Sequence, residues 1–344
     1  MKKILIVAGS AEQLPLINYS KKMGFYSICV DRDENCLGAK YSDKFYKIDI
    51  KNKKKIYQIA IKHKINGLTT SCSEAAVPTI CYIAEKLGLR GNSIQTGYLT
   101  TNKILMKNKL RLNNIKTSDF FKIKSIYQTK NIIINKKNRY VLKPDDAFAQ
   151  RGVYLLSDKK RLKKKLTDSK SFSSSKTCIL EKFVNGPEIN LAAIIYNKKV
   201  KIISVSERLI YKDQYFGIAY MHLSPTLLNK NQLNLIKSTV TKAIKATGMT
   251  NGASEIQTIF DPKTNKVSII EIASRTPGGL LKNVAFYNSG IDMDKFLVKM
   301  CLNEKINFKK SIVRKKHRSS AIYFFTKLDF PNSGSKRIKR IDGL

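Results

Sequence analysis

Ile269-Ile270-Glu271-Ile272-Ala273-Ser274-Arg275, followed by Pro277-Gly278-Gly279, decides the reading of this chain. The apolar run reads as a strand carrying one acid. An arginine stands four residues past that acid, and a glycine pair follows. Such a segment places a carboxylate and a guanidinium at one strand end. One strand earlier lies Glu255-Ile256-Gln257, where residues 255 and 257 share a face by the period of two. Two neighbouring strands, Ala253–Phe260 and Val267–Ile272, turned around Pro262–Lys266, then offer Glu255 or Gln257 together with Glu271 on a common surface. Oxygen donors of this kind suit Mg²⁺, which keeps waters and takes phosphate oxygens as further ligands. An ordinary surface hairpin would account for the acids but not for the arginine and the glycine pair.

Two upstream stretches extend this chemistry. Val141-Leu142-Lys143-Pro144 reads as a strand ending in lysine, and Gln150-Arg151-Gly152-Val153 follows a polar turn, with Arg151–Leu156 resuming the strand. A lysine there can reach nucleotide phosphates while the loop covers them. Ile179-Leu180-Glu181-Lys182-Phe183-Val184 leads through Gly186-Pro187 to Glu188. Its backbone can meet an adenine edge, and the acid after it can take ribose hydroxyls. Read singly, a lysine in a lysine-rich chain and a hairpin with exposed acids carry little weight.

The front of the chain is of another kind. Ile4–Ala8, Tyr26–Val30, Phe45–Ile48 and Gly67–Thr70 read as short buried strands. They alternate with helical patterns over Leu14–Met23, Lys54–His63 and Val77–Leu87. Strand–helix alternation with short connections implies a parallel sheet covered on both faces. From Thr101–Leu112 onward the pattern changes to helix, strand and hairpin, with Glu188–Ile195 and Val200–Val205 turned at Asn197-Lys198 and a helix over Leu233–Thr247. The expected fold class is therefore α/β: a Rossmann-like domain over 1–92, then an α+β region over 93–325 with a small lobe near 115–183 and a hinge at 181–184. A tail over 326–344 is read as the start of a further small subdomain.

Composition narrows the partners. The 344 residues are 42% hydrophobic, enough for a sizeable core, and no run reaches the roughly 20 apolar residues a membrane span needs. The opening Met1-Lys2-Lys3 and five apolar residues read as a first strand rather than a signal peptide, so the cytoplasm is the expected compartment. Six cysteines and three histidines show no metal-ligand spacing. The net charge of +40 comes overwhelmingly from lysine, 53 against 12 arginines, scattered along the chain. Base readout and stacking favour arginine and grouped aromatics, so no dedicated nucleic-acid binding is expected. The charge suits anionic ligands.

Taken in order, these features resemble the ATP-grasp superfamily over about residues 1–325. Asn102-Lys103 with Lys107 and Leu110 is similar to the family's "DK…K…L" helix, which makes Lys103 the first nucleotide lysine and Lys143 the second. Asp146 to Val153 resembles the mobile phosphate loop, bringing in Arg151 and Gly152. Glu181, Lys182, Phe183 and Val184 resemble the adenine hinge, and Glu188 the ribose acid. Gln257 and Glu271 stand at the metal positions, and Arg275 at the arginine that touches phosphate or the acyl intermediate. The resemblance implies a Rossmann-like pre-ATP-grasp domain before a two-lobed ATP-grasp domain. It implies ATP and Mg²⁺ (or Mn²⁺) as cofactors, and a C–N ligase that activates a carboxylate as an acylphosphate for attack by an amine. Lys143 and Arg275 would be the catalytic residues. Gly9, Ser10, Glu74, His222, Gly278 and Gly279 would contact substrate. A homodimer is compatible with the family.

Three departures bear on turnover. Gln257 stands where many members have Glu, although the carbamoyl-phosphate synthetase large subunit also has Gln there. Ala273 replaces an asparagine ligand, which weakens the case for a second metal. The phosphate loop reads Ala147-Phe148-Ala149-Gln150, with a glycine lost. A carboxylase-type enzyme working through carboxyphosphate, or a nucleotide-binding module without turnover, are the alternative readings.

Overall fold

The computed structural model describes residues 1–211, 216–306 and 319–324. The front of the chain forms a parallel sheet of β1 (Lys3–Val7), β2 (Tyr26–Asp31), β3 (Lys44–Lys47) and β4 (Gly67–Thr69), in spatial order β3-β2-β1-β4. Helices α1 (Leu14–Lys22), α2 (Leu37–Tyr41), α3 (Lys53–His63) and α4 (Val77–Lys86) connect and flank these strands. β1 and β2 are apolar runs buried along nearly their whole length, as a sheet covered on both faces requires. The Rossmann-like reading therefore stands.

Next come α5 (Ile94–Leu99), which the sequence reading did not foresee, and α6 (Lys103–Leu112). Asn102 caps α6: its Oδ1 accepts from the N–H groups of Ile104 and Leu105, each at 3.0 Å. The helical spacing sets Lys103 and Lys107 on the same buried face as Met106 and Leu110.

The small lobe is an antiparallel sheet of β5 (Phe120–Ile123), β6 (Tyr140–Pro144), β7 (Tyr154–Leu156) and β8 (Cys178–Lys182), ordered β5-β8-β6-β7. Helix α7 (Leu162–Ser171) packs on it through Leu162 and Leu166 against Leu142 and Leu180. The strand expected over Arg151–Leu156 is shorter. Ala149, Gln150 and Gly152 all have positive φ, so the chain turns until Tyr154 instead of extending.

The large lobe is a six-stranded sheet of β9 (Glu188–Tyr196), β10 (Lys199–Ile210), β11 (Ala219–Ser224), β12 (Gly252–Asp261), β13 (Lys266–Ala273) and β14 (Ser320–Tyr323). Its order is β13-β12-β9-β10-β11-β14, and every pairing is antiparallel. Helix α8 (Lys230–Ala246) covers one face, where Ile236, Val240 and Ile244 share a core with Ile189, Leu191, Ile256 and Ile272. The other face changes character along the strands. Ala192, Ile194 and Ala253 join a core with Ile4, Ile6 and Leu16 of the first sheet region and with α10 (Met293–Cys301). Beyond them the same face turns polar, at Asn190, Glu255 and Gln257, and α9 (Leu281–Ser289) packs on β10, β11 and β14. Among the described residues no helix is long and apolar enough to cross a membrane. The tail over 326–344 lies outside the described residues.

Candidate active site

The polar stretch of the large sheet, the hinge side of the small sheet and the loop after β4 enclose a cleft of about 620 Å³. Each wall supplies charge by a local rule. β6 and β8 are antiparallel, with Glu181 opposite Val141 and Lys143 opposite Ile179, so Lys143 and Glu181 are diagonal neighbours on one face, and Lys143 Nζ is 2.7 Å from Glu181 Oε1. Lys107 Nζ approaches the other oxygen at 3.1 Å from α6, and Ser118 Oγ donates to it at 2.6 Å. Burial alone would raise the Glu181 pKa, but Lys107 and Lys143 outweigh it and hold the carboxyl at about 2. Burial pushes the Lys107 ammonium down to about 8 despite that carboxylate. One acid thus balances two lysines, leaving this end of the cleft positive.

Lys103 lies between the lobes. Its Nζ donates to the Ala147 carbonyl at 2.8 Å and sits 3.0 Å from Glu271 Oε1. Burial opposes its charge, but Glu271 and Glu74 overcome this and raise its pKa. Glu271 stands directly opposite Gln257 across β12 and β13, and both line the cleft. Glu188, opposite Arg208 across β9 and β10, is ion-paired to it. Past Glu271, Arg275 reaches two acids: its Nη2 donates to Glu74 Oε2 at 3.0 Å and its Nη1 to Glu255. Burial raises the Glu74 pKa, against the pull of Arg275. His222 on β11 is buried in the same cleft, edge-on to Phe324. Burial, and then the Arg208 charge, push its pKa down to about 4, so the ring is neutral at pH 7.

The chain spans most of the known proteins it resembles. The phosphoribosylglycinamide synthetase ATP-grasp (A) domain family matches residues 101–217. A 3-methyl-D-ornithine–L-lysine ligase from Methanosarcina barkeri is 23% identical over 298 residues, 86% of this chain and 73% of the relative. The structure of an L-amino acid ligase from Bacillus licheniformis superposes with a TM-score of 0.78 at 18% identity, covering 94% of this chain and 79% of that one. A phosphoribosylglycinamide synthetase from Anaerococcus prevotii gives 0.72 at 22% identity, covering 93% and 79%. The chain has the ATP-grasp fold.

Within the ATP-grasp frame, the expected positions can be placed one by one. Lys103, Lys143, Glu181, Lys182, Phe183, Val184, Glu188, Gln257, Glu271 and Arg275 all line the one cleft, as do Glu74, His222, Gly278 and Gly279. Four do not. Arg151 is exposed and its Nε donates to the Phe148 carbonyl at 3.1 Å, while Gly152 packs against Phe172, Pro144 and Ser169. Gly9 sits in a tight turn, its N–H donating to Asp31 Oδ2 at 2.7 Å, and Ser10 Oγ bonds Gln13. Glu181 lines the cleft, but both its oxygens face lysines, so its geometry orients Lys143. Of the hinge N–H groups, Lys182 donates to Asp119 O at 2.7 Å and Phe183 to Arg139 O at 2.9 Å.

The donor set fits Mg²⁺: one carboxylate and one amide oxygen stand side by side in register, beside a lysine pair suited to phosphate. Ala273 faces Glu255 in the next pair and offers no side-chain oxygen. The lost loop glycine is met by backbone geometry, because Ala149 and Gln150 adopt φ of 58° and 59°. The sequence reading overlooked Arg208 and Asn190, and took Glu255 only as an alternative to Gln257. The period of two marks Glu255 with Gln257, but nothing local marks Arg208.

Proposed function

We propose that the chain is an ATP- and Mg²⁺-dependent ligase that activates a carboxylate as an acylphosphate for attack by an amine. The observation that carries this reading is the convergence, in one cleft, of Lys103 from α6 and Lys143 from the small lobe with the Gln257–Glu271 pair and Arg275. The names of the relatives, an amino acid ligase and a methylornithine–lysine ligase, point the same way.

The two lysines would neutralise phosphate charge, with Glu181 fixing the Lys143 ammonium. Gln257 and Glu271 would hold Mg²⁺, which when bound screens the phosphates. Arg275 would face the charge that develops as the carboxylate takes the γ-phosphoryl group. This is positioning and electrostatics, with no protein nucleophile. The loop over 146–153 would close over the phosphates, and Glu188 would meet the ribose after exchanging its bond with Arg208. Division into domains at 1–92 and 93–325, and a cytoplasmic setting, belong to the same proposal. The six cysteines, all free, fit a reducing compartment.

The test is ADP release against a panel of amino acids, sugar acids and bicarbonate. Glu271→Ala should lower turnover on the order of a hundredfold or more. Stimulation by amino acids supports the ligase, whereas stimulation by bicarbonate alone would move the reading to carboxyphosphate chemistry. Equal turnover in the variant would refute the site.

A further inference from the structure

The nucleotide reading leaves a second group of charges unused at the Arg275 end of the cleft. Glu74 and Glu255 are both buried, and both are held by the same guanidinium. Two carboxylates share one guanidinium, and burial raises the Glu74 pKa, so the pair has room for a further positive charge that would hold both acids ionised. Asn190 Nδ2 donates to Glu255 Oε1 at 2.8 Å. A carboxylate only accepts, so this bond fixes the orientation of the amide. Asn190 Oδ1 is then left without a partner, although Asn190 is 4% exposed. His222, also 4% exposed and lining the cleft, has an unpartnered Nδ1, and its ring lies within reach of the Glu255 charge. What is unmatched here is a surplus of carboxylates over the guanidinium they share, with one bare acceptor on Asn190 and one unpartnered ring nitrogen on His222, each costly to bury alone. Phosphates bring more acceptors and more negative charge, so a triphosphate satisfies neither the carboxylates nor the bare acceptor.

We propose that this end of the cleft recognises an ammonium group of the ligase's substrate, with Glu255 and Glu74 supplying the charge and Asn190 holding the Glu255 carboxylate in place. The proposal rests on the ligase reading above and names the class of substrate. An ammonium is compact and donates in three directions, which suits carboxylates that line the cleft from β12 and from the loop after β4. Arg275 Nε, a buried donor without a partner among the described residues, suits an adjoining carboxylate or acylphosphate oxygen. Together they match an amino acid. A nitrogen held protonated by carboxylates has no lone pair for attack, so this ammonium is retained while the substrate reacts through another group.

The experiment uses the full chain with MgATP and two matched pairs of probes. L-Alanine against L-lactate asks whether the ammonium belongs to the acid that is activated. 1,5-Diaminopentane against 5-aminopentanol asks whether it belongs to the amine that attacks. Binding is read by calorimetry and turnover by ADP release. In at least one pair the probe with the extra ammonium should be favoured at least roughly tenfold, the worth of a charged hydrogen bond. Glu255→Gln should bring that ratio to within about twofold, and Glu74→Gln reads the same loss from the other wall. The ratio between paired probes is insensitive to any loss common to both. Equal handling of both members of each pair, a ratio unchanged in both variants, or no binding by any ammonium probe would overturn the proposal. Absence of MgATP binding would instead overturn the ligase reading beneath it.

Discussion

Glu181→Gln isolates what the acid at the end of β8 does. The variant keeps the shape of the side chain and removes its charge, leaving two buried ammonium groups with no anion between them. Lys143 and Lys107 hold the Glu181 carboxyl at about 2, against an ordinary value of 4.5. That gap corresponds to about 3 kcal/mol of interaction with the ionised form. Because the folded pKa is depressed, the contribution is complete above 4.5 and is lost as pH falls toward about 2. Lys107, already lowered to about 8 by burial, can shed its proton in the variant and recover part of the loss, so about 3 kcal/mol is an upper bound at pH 7. At roughly 2 °C per kcal/mol for a chain of this size, the ligand-free protein should melt about 5 °C lower. Nucleotide should reverse the order. In the native protein ATP meets a Lys143 already paired with a carboxylate; in the variant its phosphates take the place of that missing partner. Thermal unfolding with and without MgATP at pH 7 should therefore show a larger nucleotide-induced rise for Glu181→Gln than for the native protein. An unchanged melting temperature without ligand, or an equal or smaller rise with MgATP, would refute the argument that Glu181 acts through the lysines.

Ala149→Gly should relieve a left-handed residue in the phosphate loop, where φ is 58°, and stabilise the ligand-free protein by up to about 1 kcal/mol, measured as a raised urea midpoint. Gly186→Ala should cost at least about 2 kcal/mol by the same measurement, since its φ is +139° and a Cβ there would lie 2.0 Å from the Phe260 carbonyl oxygen. His222 should give no NMR inflection between roughly pH 5 and 8. Its folded pKa of about 4 lies below the ordinary 6.5, so the neutral ring's contribution is complete above 6.5 and lost as pH falls toward 4. His222→Phe should flatten the acid limb of the stability profile over that window.

Where chemistry depends on short local patterns, the sequence was readable. Apolar runs broken by helical periods announce the parallel front sheet, because strands buried on both faces need no alternation. The spacing of Lys103 and Lys107 sets both on one face of the helix read over Thr101–Leu112. Less legible were segments whose structure is settled by neighbours. Helix α5 is six residues long, with too few positions to show a period. β5 pairs only with β8, from 55 residues or more along the chain, and its outward residues are aromatic and basic. α9 and α10 follow a glycine pair and were hidden behind the motif that precedes them.

The deeper reason that the site was only half legible lies in two bulges. The turn between β12 and β13 pairs Asp261 with Lys266, and an unbroken ladder from there would set Ile270 opposite Gln257 and Glu271 opposite the core residue Ile256. The register slips by one after Thr258, the extra residue being Ile270, and Glu271 comes to stand opposite Gln257 instead. The same thing happens between β9 and β10. An unbroken ladder from the pairing of Tyr196 with Lys199 would set Glu207 opposite Glu188, two like charges face to face. The irregularity at Ile203 moves Arg208 into that place. A slip of one residue exchanges the two faces of a strand, so counting along the chain in steps of two misassigns every functional side chain beyond the bulge. Gln257 and Glu255 lie on the near side of the slip in β12 and could be read together. Arg208 lies beyond the slip in β10, and for that residue the sequence offered only its charge.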